Sequence, residues 1–155
     1  MRNALLAGGL LAVSLAAPVG ATDQVPFKGT LAGTAIVTPI NPPIVQVTIT
    51  ATGNATQLGR FTLVAPHTVN QATLTAVGNY YLTAANGDTI TATLEGTAQM
   101  IDPPNVIATS ETGVITGGTG RFAGATGTFH VDRIFNRETG VTTGTFEGWI
   151  SVPGA

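Results

Sequence analysis

From residue 22 onward, apolar and polar side chains alternate with a period of two, and no stripe at helical spacing persists. Gly, Pro and Asn punctuate this alternation at short intervals. Many short strands with such turn signals predict an all-β barrel or sandwich. Strands are expected over residues 27–37, 44–53, 59–66, 71–77, 106–115, 127–135 and 141–152, with a hairpin over 78–96. Residues 38–43 and 102–105 read as loops, because Pro39, Pro42, Pro43, Pro103 and Pro104 remove ladder donors.

Two hairpins can be given a register. Ala85-Asn86-Gly87-Asp88 is a hairpin turn with two competing forms. A two-residue Asn86-Gly87 turn pairs Tyr81 with Ala92. A three-residue loop pairs Tyr80 with Ala92 and Leu82 with Ile90, and puts Tyr80, Leu82, Ile90, Ala92 and Leu94 on one face. The buried face sets register, which favours the three-residue loop. In the last hairpin a four-residue loop puts Phe129, Val131, Arg133, Phe135, Phe146 and Ile150 on one face. His130, Asp132, Thr145, Glu147 and Trp149 fall on the other. Gly144 and Gly148 then lie opposite bulky residues, as strand glycines do where a sheet bends.

The N-terminus is of a different kind. Met1-Arg2-Asn3 is a short basic start, Ala4 to Ala17 is apolar or small apart from Ser14, and Val19 and Ala21 are small residues before a cleavage point. These are the parts of a secretory signal peptide. The run is shorter than the roughly 20 apolar residues of a membrane-spanning helix. The expected organisation is a signal peptide over 1–21 and a single β domain over 22–155. That domain is secreted to the periplasm or exterior and has no integral membrane segment once the signal is cut.

Composition narrows the function classes. The chain has no cysteine, which excludes disulfides and a lipid-modified cysteine, so stability rests on a hydrophobic core and strand pairing. Six Lys and Arg stand against eight Asp and Glu, and loss of Arg2 takes the net charge from −2 to −3. With no basic patch, nucleic-acid binding is set aside.

The most distinctive segment runs Ile115-Thr116-Gly117-Gly118-Thr119-Gly120-Arg121-Phe122-Ala123-Gly124-Ala125-Thr126-Gly127. Its glycines suggest a phosphate loop, but no helix-forming run follows and the Gly-Lys-Ser/Thr ending is missing. A structural turn is the better reading. Gly117, Gly118, Gly120 and Gly124 let the chain reverse, Arg121 sits in the turn, and Phe122 plugs the barrel end.

This segment, together with Leu58-Gly59-Arg60-Phe61-Thr62 and the Ala85–Asp88 hairpin, resembles the dirigent and allene oxide cyclase barrel superfamily, and within it bacterial secreted members. The resemblance implies an eight-stranded antiparallel barrel with an apolar cavity, and often a homotrimer. Such barrels act by shaping an apolar cavity and placing a few polar groups in it. The matching residues are structural, so no catalytic position carries over.

Candidate chemistry is sparse. His67 follows Pro66 in an expected loop. His130, Asp132 and Glu147 share a face that reads as solvent-exposed, which disfavours both a general base and a metal site there. Glu95, Glu111 and Glu147 lie on separate strands, with no pairing legible. Ser110 and Ser151 sit in no nucleophile elbow. No metal and no cofactor is expected. Arg133 falls on the apolar face, where it either binds an anionic group within the barrel or sends its head to water at the mouth, the second being favoured. Arg133, Tyr80, Phe129 and Phe146 are the candidates for lining a cavity. The leading expectation is a secreted, non-enzymatic protein that binds a small apolar or phenolic ligand or serves a structural role. The alternatives are a cofactor-independent cyclase or dirigent-like catalyst and a cell-surface interaction module.

Overall fold

The computed structural model describes residues 23–154, and the expected signal segment lies outside them. Eight strands form in chain order: β1 (Gln24–Asn41), β2 (Ile44–Ala55), β3 (Gly59–Asn70), β4 (Thr75–Ala84), β5 (Thr89–Asp102), β6 (Val106–Gly118), β7 (Thr126–Asn136) and β8 (Val141–Ser151). Each pairs antiparallel with the next, and β8 returns to β1 from Gln24↔Ser151 to Thr34↔Val141, closing the barrel. Closure removes the free edges that an open sheet must protect. The alternation read from the sequence therefore separates an inside from an outside.

Both hairpin registers agree with the sequence. Tyr80 pairs with Ala92 and Leu82 with Ile90. The turn closes through Ala84 N–H to Asp88 O at 2.8 Å. Phe129↔Gly148 and Val131↔Phe146 give the four-residue loop between β7 and β8.

The strands run longer than expected, for reasons specific to proline. β1 continues through Pro39 to Asn41, because beyond Thr34 it pairs with β2 alone and a missing N–H can face the unpaired side. β3 does not stop at Pro66. Its pairing to β4 skips the rungs at Ala65 and Pro66 and resumes at His67↔Gly78. The expected strands at 71–77 and 78 onward are one strand, β4, preceded by a turn in which Asn70 Oδ1 accepts from the N–H groups of Ala72 and Thr73.

The Gly-rich segment is the β6–β7 turn. A 3-10 turn, Gly120–Phe122, buries Phe122. Gly120 has φ +61°, and a Cβ there would collide with the Asp88 carboxylate. Arg121 reaches the same carboxylate at 3.5 Å and lies 4.7 Å over the Phe122 ring.

The two ends of the barrel differ. At the end carrying the β2–β3, β4–β5 and β6–β7 turns, the interior is filled by Phe27, Phe61, Phe129 and Phe146, with Leu58 and Phe122 also buried. Ring centroids in this cluster lie 5.1 to 6.0 Å apart in edge-on or tilted arrangements. Each buried Phe contributes about 1.5–3 kcal/mol from apolar burial. Towards the opposite end the inward residues shrink to Ala35, Val45, Val47, Val69, Ala76, Gly96 and Ala98, and the interior is hollow.

Candidate functional site

The hollow half is a cavity of about 380 Å³. Its walls are chiefly Ala and Val from β1 to β5 with Ile107 and Phe135 from β6 and β7. The lining runs from the buried His67, Glu111 and Arg133 out to the exposed Val37, Gln71 and Leu74, so the cavity opens at this end of the barrel. Its volume lies within the roughly 300–1,000 Å³ of small-molecule sites, and apolar walls with a few polar groups are their usual lining.

The polar groups meet between the aromatic half and the hollow half. Arg133 on β7 is 5% exposed and Glu111 on β6 is 2% exposed. Arg133 Nη2 donates to Glu111 Oε1, and Tyr80 on β4 donates its hydroxyl to Glu111 Oε2 at 2.6 Å. Arg133 Nη1 donates to Thr142 Oγ1 at 2.9 Å, and that hydroxyl donates on to Ile134 O. Both carboxylate oxygens are thus engaged, while Arg133 Nε is buried with no partner among the described residues. His67 on β3, 4% exposed, sits beside the pair with Nδ1 2.9 Å from Ala65 O.

Local sequence makes room for this cluster. His67 lies across from Gly78, Glu111 from Gly96, and Arg133 from Gly144. A Cβ on Gly78 would come within 2.5 Å of His67 Cβ, and one on Gly96 within 2.7 Å of Glu111 Cγ. Each large inward polar side chain therefore occupies space that a neighbouring strand leaves empty.

Burial and charge act together on these groups. Burial lowers the His67 pKa below its ordinary value, against the opposing pull of Ala65 O and Glu111. For Glu111 burial works upward, but the Arg133 charge and hydrogen bond, with the Tyr80 bond, hold the carboxyl below its ordinary value. Burial, reinforced by Glu111, raises the Tyr80 phenol well above its usual range. At neutral pH the cluster is therefore a carboxylate–guanidinium pair flanked by a neutral phenol and a neutral imidazole.

The four residues expected to line a cavity separate. Arg133 lines it, and its head lies in the interior instead of in water at the mouth. The nearby Glu111 carboxylate compensates the buried guanidinium. Tyr80 is buried and reaches the floor only through Glu111. Phe129 and Phe146 do not line the cavity, because they pack against Phe27 in the filled half. His67 corrects the loop expected for it: it is in a strand and points inward. His130 and Asp132 are exposed, with His130 Nε2 3.0 Å from Asp132 Oδ1. Among the described residues no group of three or more His, Asp or Glu is placed to hold a metal.

Comparison with solved structures finds a likeness to the pterocarpan synthase dirigent protein GePTS1. The TM-score is 0.57 at 13% sequence identity, covering 83% of this chain and 88% of that one. At this identity the likeness shows a dirigent-like barrel fold alone. No protein-family model matches the chain, and the comparison with curated proteins gives no match.

Proposed function

We propose that this protein is a secreted, non-enzymatic barrel that binds one small molecule with an apolar body in its cavity. The observation that carries the reading is the buried Glu111–Arg133 pair at the floor of a largely apolar, open-ended cavity. A barrel with a purely structural role can fill its interior, as the aromatic half does here. Apolar walls supply affinity by removing ligand surface from water, and a few fixed polar groups orient what enters. Secretion is supported by the signal-like Met1 to Ala21 segment. Native mass spectrometry of the purified protein with a panel of fatty alcohols, fatty acids and phenols tests the reading. It predicts one ligand per chain, lost in Ala98→Trp, which puts an indole into the cavity. Failure of every panel member to bind contradicts it.

A second reading, a cofactor-independent cyclase or dirigent-like catalyst, is favoured by one feature. A neutral imidazole beside a carboxylate and a guanidinium is the equipment for moving a proton inside a largely apolar cavity. Turnover of a bound panel member, abolished in His67→Phe with binding retained, would establish it over simple binding.

A further inference from the structure

The floor of the cavity is incomplete in its hydrogen bonding, and what is missing specifies a ligand. Ala65 O can only accept, so the neutral His67 ring carries its proton on Nδ1 and its lone pair on Nε2. No hydrogen bond falls on Nε2 among the described residues, and His67 lines the cavity. Arg133 lines it too, with its Nε–H unmatched. The floor therefore holds one free acceptor, and one unmatched donor that a ligand oxygen reaches when the Arg133 head turns towards the cavity. Its two full charges already neutralise each other, and the further charge in the lining, Arg137, is exposed at the mouth.

Resting on the reading above, we infer that the cavity selects an uncharged head group that both donates and accepts, a hydroxyl or a primary amide, with His67 Nε2 taking its hydrogen and Arg133 facing its oxygen. A carboxylate fits poorly. It has no hydrogen to give to His67, and it adds a second anion beside Glu111, whose charge Arg133 already balances. An ammonium fits poorly for the converse reason: it can donate to His67 but has no lone pair for Arg133, and the Glu111 charge that would balance it is already balanced by Arg133. In a low-dielectric site both mismatches count for more than they would in water.

The test uses four probes with one tail: octan-1-ol, octanamide, octanoate and octylammonium, titrated calorimetrically into the purified protein at pH 7.5. The alcohol and the amide are expected to bind at least about tenfold more tightly than either ion, the effect of one well-made buried hydrogen bond. His67→Phe should remove that preference, and His67→Gln, which restores an acceptor, should recover part of it. Circular dichroism melts check that both variants fold. Octanoate or octylammonium binding as tightly as octan-1-ol overturns the inference while leaving the cavity a binding site. An undiminished preference in a folded His67→Phe variant also overturns it. Failure of all four probes overturns the inference and the binding function together.

Discussion

Arg133 and Glu111 form an ion pair across adjacent strands of the barrel wall, on rungs two residues apart: Glu111 pairs with Val131, and Arg133 with Thr109. Both heads are withdrawn from water, so each is tolerated only because the other is present. Removing one partner, as in Glu111→Leu or Arg133→Met, should cost about 3–5 kcal/mol by stranding a buried charge. The double variant Glu111→Leu/Arg133→Met should recover most of that loss. Urea unfolding of the four proteins gives the coupling directly.

Stability should also depend on pH in a direction the cluster dictates. The folded-state pKa of His67 is lowered, so an unfolded chain takes up the proton first as pH falls through about 6.5. Stability from this group is full above that value and declines below it, until the folded imidazole also protonates. Glu111 is likewise depressed, so its contribution is present above the ordinary carboxyl pKa and is lost as pH falls through the folded value. Tyr80 acts at the other extreme. Its folded pKa is raised, so stability falls once pH exceeds the ordinary phenol value of about 10. Melting temperature measured from pH 3 to 11 should therefore decline on both sides of a neutral plateau. In His67→Phe the fall beginning near pH 6.5 should be smaller.

The glycines across from the cluster make a separate prediction. Gly96→Ala pushes a methyl group towards Glu111 Cγ, and Gly78→Ala pushes one against His67. Each should destabilise by about 1–3 kcal/mol, the cost of overpacking. Ala at Gly87, in the exposed hairpin turn, meets no neighbour and is strained only through its φ of +93°. Chemical denaturation of the three variants separates crowding from backbone strain.

In the β6–β7 turn, Phe122→Ala should cost about 3–5 kcal/mol, because the ring is buried. Arg121→Ala should cost under about 1 kcal/mol, because its contact to Asp88 is half in water. Thermal melts distinguish a turn held by its plug from one held by its charge.

Much of this fold was legible from the sequence because the alternation has one inside and one outside. The 85–87 loop and the β7–β8 register followed from keeping Tyr80, Leu82, Phe129 and Val131 on the buried face. Proline misled the strand limits, since Pro39 keeps its rung to Val45 and Pro66 interrupts only the pairing to β4, and neither ends a strand. The site was less legible. Arg133 stood out because it shares the parity of Phe129 and Val131, but its partner was missed. Glu111 shares the parity of Ile115, which was a signal available in the sequence. The glycines at 78, 96 and 144 were a further one. What a linear pattern does not encode is which inward residues meet across strands that are distant in sequence, such as β3 and β6.

The most direct test of the central claim is a crystal of the protein soaked in 8-bromooctan-1-ol and measured at the bromine edge. The account predicts an anomalous peak inside the barrel, among Val45, Val47, Val69, Ala98 and Ile107, with electron density continuing to the Arg133–Glu111 floor. Bromine found only on the outer surface, with the interior closed by side chains, would contradict it.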